Sequence, residues 1–247
     1  MHPLKTRLFS AILILCCLGF AFTFTGAAQE TSAAAIFTHE GVVTSANWNA
    51  DETQLLTASE DGFVRLWDID AGETIWQTSL EMPVGGALWH PDNTLIIAWT
   101  SGGGTYLIDP ETGSTSTALP TDSNKPVNGA LWQNDGQAVL IWQDDRVFAL
   151  TLRGADFATG LFTLEHDTVV LDARWNNDES RVMTVELDGI AHIWDAESGE
   201  EITAINLDDE TLGVAWNADL SYVMAWGGND QVQLFSTETA RGMNAFD

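Results

Sequence analysis

The chain has 247 residues, with nine Lys or Arg against thirty-six Asp or Glu, and 45% of it is hydrophobic. That is too apolar for a disordered chain and long enough to bury a substantial core as one large domain or two small ones. A formal charge of −27 excludes the nucleic-acid binders, which need clustered cations, and equally excludes docking on an anionic membrane surface.

Residues 1–28 read as a secretory leader. Lys5 and Arg7 are unopposed by acid, residues 8–24 are an apolar run, and the small residues Gly26, Ala27 and Ala28 precede Gln29 and Glu30. Cleavage is expected after Ala28, with Ala27 as the alternative. The competing reading is an uncleaved anchor, since this run is at the lower edge of a membrane span. Cys16 and Cys17 follow Leu15, where a lipid-attachment site wants a small residue. Removing the leader takes both Cys with it, leaves Lys125 as the one lysine, and changes the charge to 7 − 36 = −29. The expected location is secreted or periplasmic, with no membrane contact beyond the leader. No disulfide, thiol nucleophile or Cys metal site remains.

Residues 29–247 form one domain written as a repeat. Trp48, Trp89, Trp132, Trp175 and Trp216 lie 41, 43, 43 and 41 residues apart, and each is followed three residues later by an acid: Asp51, Asp92, Asp135, Asp178 and Asp219. The first unit predicts four strands, at residues 43–48, 55–59, 63–67 and 74–78. The turns between them lie at residues 49–53, at Glu60-Asp61-Gly62 and at Asp70-Ala71-Gly72. Four strands in about 42 residues leave no room for crossover helices, so each unit is an antiparallel meander. A lone meander cannot hide both faces. Packing successive meanders radially buries both, which is the propeller solution.

The first unit carries His39, Val43, Ser45 and Trp48 and then TASEDGFVRLWD at residues 57–68. The fourth carries His166, Trp175 and ELDGIAHIWD at residues 186–195. This pattern resembles the WD40 repeat family over residues 32–247, strongly in units one and four and more weakly in two, three and five. The resemblance implies an all-β fold of four-stranded antiparallel blades in five WD40-like repeats. It also implies a hydrogen-bonded chain within a blade, formed by His39, Ser59, Asp61 and Trp67 in unit one. In unit four, His166, Asp188 and Trp194 are kept and Glu186 stands at the Ser position. These residues are expected to hold the blade together, with no catalytic role. The family's binding rim would include the positions between the second and third strands: Glu60, Ser101, Asp144 and Leu187.

The remaining tryptophans follow a second rule. Counted from the first-strand Trp, position +19 is Trp in units one and four (Trp67, Trp194), and position +10 is Trp in units two, three and five (Trp99, Trp142, Trp226). No unit has both, and Trp76 stands outside the scheme. Close packing suggests one indole-sized space per blade filled from either strand, or exchanged between neighbouring blades if the two positions face opposite sides.

Five units leave two arrangements open: a closed five-bladed ring, or an open or truncated array with exposed strand edges. Residues 33–39 or 242–246 could supply an outer strand to the last blade as a clasp. His90 falls in the WHPD turn and His192 beside Trp194, and no pair has metal-ligand spacing, so neither a metal nor a cofactor is expected. The acid pairs Glu60-Asp61 and Asp144-Asp145 and the run Asp208-Asp209-Glu210 keep a second reading alive, a small propeller enzyme or lectin using carboxylates in a central funnel. Residues 68–76 resemble the docking motif of quinoprotein propellers, though those enzymes need a much longer chain. The reading preferred on sequence is a non-enzymatic protein-binding scaffold. Its excess acid suits a basic partner or simply keeps it soluble, and an open array would be able to oligomerise.

Overall fold

The computed structural model describes residues 35–116, 119, 121–122, 124–153, 156–157, 160–207, 211–217, 221–227 and 231–237. The leader, Asp219, the run 208–210 and the segment 242–246 lie outside them. Every sheet belongs to the unit Phe37–Asp247. The described residues form five antiparallel sheets and no helix.

The first sheet runs β1 (Val43–Trp48), β2 (Gln54–Ser59), β3 (Phe63–Asp68), β4 (Glu73–Ser79). The second runs β5 (Val84–Trp89), β6 (Ile96–Thr100), β7 (Thr105–Ile108) and a two-residue β8 (Thr115–Ser116). The third departs from the plain meander. After β9 (Val127–Trp132) and β10 (Ala138–Gln143), a long β11 (Arg146–Arg153) pairs at its end with β12 (Asp156–Phe157) and along its first half with β13 (Phe162–Glu165). The fourth is regular: β14 (Val170–Trp175), β15 (Arg181–Glu186), β16 (Ile190–Asp195), β17 (Glu201–Asn206). The fifth shows three strands among the described residues: β18 (Thr211–Trp216), β19 (Tyr222–Gly227) and β20 (Val232–Ser236).

The core is laid down between sheets. Side chains alternate across each strand, so every sheet has a near face toward the preceding unit and a far face toward the next. Leu56, Ala58, Val64 and Leu66 of the first sheet meet Val84, Ala87, Ile96 and Ala98 of the second. Ile97, Trp99 and Leu107 meet Ala130, Trp132 and Val139 of the third. Leu140, Trp142 and Val147 meet Ala173, Trp175, Val182 and Trp194 of the fourth. Met183, Val185 and Ile193 meet Val214, Val223, Ala225 and Phe235 of the fifth. Each fully buried Leu or Ile contributes roughly 1.5–3 kcal/mol. Among the described residues no cluster joins the fifth sheet to the first, so the sheets are not closed into a ring. The closed five-bladed option is thereby corrected. Residues 37–39 do not pair with β20 as a clasp. The Phe37 ring packs 5.1 Å from that of Trp67, and His39 bonds to Thr57 on the first sheet's near face.

The single-indole-space idea also fails. Positions +10 and +19 face opposite sides of a sheet: Trp99 and Trp142 point to the following sheet, whereas Trp194 points to the preceding one. The third junction therefore holds both Trp142 and Trp194, and the first holds no Trp from either position. The local rule is a pairing with glycine. Trp99, Trp142 and Trp226 lie directly across from Gly86, Gly129 and Gly213 on the first strand, and a Cβ on any of these glycines would overlap the indole. Ser45 and Asp172 occupy that first-strand position in units one and four, where +10 is Ala58 or Val185. Trp76, the odd one out, reaches across from β4 to donate its indole N–H to Pro110 O at 2.8 Å and packs against Gly113.

Candidate functional site

First strands of successive sheets lie side by side in the same sense. Thr44 and Asn47 of β1 donate to Val84 O and Ala87 O of β5 at 2.9 and 2.8 Å, and Asn128 of β9 donates to Val170 O at 3.1 Å. The turns after the first strands are linked in series along one rim. The Ala50 amide donates to Asn93 Oδ1, His90 Nε2 lies 3.0 Å from Gly136 O, and the Asn134 amide donates to Glu179 Oε1 at 2.6 Å. The repeated acid caps its own turn: Asp51, Asp92, Asp135 and Asp178 each accept the amide two residues on. One residue after that acid, Glu52, Asn93, Gly136 and Glu179 all have positive φ, a conformation these turns require.

Turns between the second and third strands form the opposite rim. Glu60, Ser101 and Leu187 each donate their amide to a carbonyl just ahead of the first strand: Val42, Pro83 and Val169. Asp144 sits at φ 48 and its carbonyl accepts the Val170 amide from the next unit. Glu60, Ser101 and Leu187 are exposed and Asp144 is half-exposed. Exposed Val42 and Met82 stand beside them, so this rim mixes apolar side chains with acid. The Asp144-Asp145 pair shares Lys125, at 2.7 and 2.9 Å.

The polar chains inside sheets one and four are centred on threonine. His39 Nε2 lies 2.9 Å from Thr57 Oγ1, and Trp67 donates its indole N–H to the same oxygen at 2.8 Å. His166 Nε2 lies 2.7 Å from Thr184 Oγ1, which accepts from Trp194 at 2.9 Å. Thr57 and Thr184 thus occupy the place expected for Ser59 and Glu186, one step further along the same face. Ser59 instead accepts the Asp61 amide at 3.2 Å. The Asp61 side chain is largely shielded from solvent, 3.6 Å from His39 Nδ1, and bonded to Arg65 at 2.8 Å. Burial works to raise its carboxyl, but hydrogen bonds from Arg65 and from the Phe63 and Glu40 amides outweigh this and hold it below the ordinary range.

Sheet four does it differently. Asp188 is exposed and accepts the Ile190 amide in its own turn. The carboxylate inside the sheet is Glu186, which pairs with His192 Nε2 at 2.9 Å and accepts from the Thr168 hydroxyl at 3.0 Å. The rings of His166 and His192 meet edge to face at 5.5 Å. Burial and the neighbouring His192 push His166 down to about 4, so it is neutral at physiological pH. Neither sheet presents a nucleophile beside a base facing open solvent. No group of three His, Cys, Asp or Glu among the described residues could hold a metal ion.

The WD40 family profile (WD domain, G-beta repeat) matches residues 31–68 and 159–195, the two units with the His–Thr–Trp chain. A 58-residue stretch is 38% identical to the retinoblastoma-binding-like protein E of Dictyostelium discoideum, covering 24% of this chain and 11% of that protein. A longer stretch of 177 residues is 25% identical to mouse (Mus musculus) echinoderm microtubule-associated protein-like 2, covering 70% of this chain and 26% of that protein. The chain thus spans about a tenth to a quarter of the length of these curated relatives. Among solved structures, the Cps50 (Swd1) beta-propeller domain of Myceliophteria thermophila superposes with a TM-score of 0.65 at 17% identity, over 84% of this chain and 73% of that one. The fold is that of a β-propeller, left open, with the WD40 profile matching two of its sheets.

Proposed function

We propose that this chain is an exported, non-enzymatic scaffold of five WD40-like units that binds protein partners through the rim carrying Glu60, Ser101, Asp144 and Leu187. WD40 propellers commonly serve as protein-interaction scaffolds, which supports the class of function. The observation that carries the surface is the rim itself, where exposed Val42, Met82 and Leu187 stand among carboxylates on turns pinned by backbone hydrogen bonds. Pinned turns keep the ordering entropy of binding small. The acid excess favours a basic partner through long-range attraction. Export rests on residues 1–28.

The glycan-directed reading needs two carboxylates converging on the inner strands. Among β1, β5, β9, β14 and β18 the one acid is Asp172, held by Arg174 at 2.6 Å. That favours the scaffold. Two measurements test it. N-terminal sequencing of the extracytoplasmic product should begin at Gln29, and an intact Met1 there sinks the leader. Crosslinking of the native complex should recover a partner that is lost from a Met82→Asp/Leu187→Asp double variant and weakens with salt. Equal recovery by that variant, or specific glycan binding by the wild type, removes the rim as the site.

A further inference from the structure

The two ends of the array are halves of a junction the molecule already contains. At the third junction the far face of sheet three offers Leu140, Trp142, Val147 and Ala149, and the near face of sheet four offers Ala173, Trp175, Val182 and Trp194. Sheet five repeats the first set on its far face as Met224, Trp226, Val232 and Leu234, by the same strand register. Sheet one repeats the second set on its near face as Ala46, Trp48, Leu55 and Trp67. The hydroxyl chain is repeated as well, His39–Thr57–Trp67 matching His166–Thr184–Trp194.

Among the described residues no sheet covers either face, and on sheet one only Phe37 and His39 lie over it, at Trp67. Trp142 and Trp175 are 8% and 9% exposed, whereas their counterparts Trp226 and Trp48 are 41% and 54% exposed. Leu140 is fully buried, but Met224 is 38% exposed. Both faces carry little charge in a chain of charge −27: no Asp, Glu, Lys or Arg stands in β18, β19, β20, β1 or β2, and Arg65 on the near face of β3 is buried and bonded to Asp61. Two exposed indoles on separate sheet faces, with no exposed charge on the strands that carry them, are not what solubility alone would select.

We propose that the far face of sheet five docks on the near face of sheet one of a second copy of this chain, rebuilding the third junction between molecules. The contact is heterologous: each copy offers one face of each kind, so association proceeds head to tail into a ring or a short filament. Strands of about six residues, three or four to a sheet, give each face about 300–400 Å² before side-chain relief. The pair falls below the roughly 1,200 Å² of tight complexes, so the association is weak and concentration-dependent. Like charge on the rest of the molecule opposes it, and salt relieves that repulsion.

The test is sedimentation velocity on the full chain from about 1 to 200 µM, at about 0.01 and 1 M salt, where the screening length falls from about 30 to 3 Å. Reversible oligomers are expected, with a midpoint at least about tenfold lower in high salt. Trp48→Glu and Trp226→Glu should each be monomeric, with unchanged circular dichroism and thermal midpoint. Mixed together they should form a single heterodimer, since one intact face of each kind remains. A monomer at every concentration overturns the proposal, and so does closure of the two faces within one chain, which gives the same result. Oligomers that survive both substitutions, including any driven by the apolar run 8–24, run through another surface and overturn it too. So does a mixture that stays monomeric.

Discussion

Replacing Thr184 by Val removes one oxygen and keeps the shape. In the wild type that oxygen accepts from the Trp194 indole and bonds His166 Nε2, and Thr184 is fully buried between strands. The variant leaves two buried polar groups without that partner, each worth about 1–3 kcal/mol of desolvation. Packing is unchanged, because the γ-methyl stands where the hydroxyl was. The expected loss is about 3 kcal/mol, equivalent to a drop of about 6–12 °C in Tm for a domain of this size. Urea unfolding followed by tryptophan emission measures it, with the midpoint shifting and the slope held. Thr184→Ser keeps the oxygen and should lose only about 1 kcal/mol, for the missing methyl. A Val variant as stable as the wild type, or more stable than the Ser variant, would refute the threonine-centred chain.

Three other predictions use the same unfolding assay. Gly129→Ala should destabilise by about 1–3 kcal/mol through collision with the Trp142 ring, and a companion Trp142→Ala should recover part of the loss, which a double-mutant cycle reads directly. Ser59→Ala should lose less than Thr57→Val, because Ser59 serves only the Asp61 turn amide whereas Thr57 joins His39 to Trp67; the reverse order counts against the assignment. For pH, the unfolded chain takes a proton on His166 below its ordinary 6.5 while the folded chain resists until about 4. Stability is therefore complete above pH 6.5 and falls as the pH drops toward 4, by roughly 2–3 kcal/mol after allowance for partial exposure. His166→Gln should flatten the curve in that window, and an unchanged slope would reject His166 as its source.

Much of the fold was legible because the period is carried by residues with a local job. The Trp–x–x–Asp frame is a strand end followed by an acid that caps a turn, so it survives in every unit whose turn is described. The strands of the first unit fall within a residue of their expected ends for the same reason. The site was harder to read. Ser59 and Thr57 lie two residues apart on one face, and spacing alone does not say which hydroxyl His39 reaches. Asp188 has the sequence position of Asp61 but points to solvent, because Glu186 and His192 already fill the interior. The glycine at the third position before each first-strand Trp was visible wherever Trp held +10, and it was the available signal that these indoles lie flat across their own sheet. Whether the array closes depends on relations between residues nearly two hundred apart, which a repeat pattern does not encode.

The four junctions do not share one interior. The third takes three indoles, the second two, and the first is closed by Ala58, Ile96 and Ile108 with Trp76 and Trp89 at its margin. Units of the same fold are therefore not interchangeable: exchanging the third and fourth would bring Trp194 against Trp99 at one seam and leave the seam between the exchanged units without the Trp142 and Trp194 that now fill it. Each seam works as a key for its neighbours, so the linear order of the units is enforced by their packing as well as by the peptide chain.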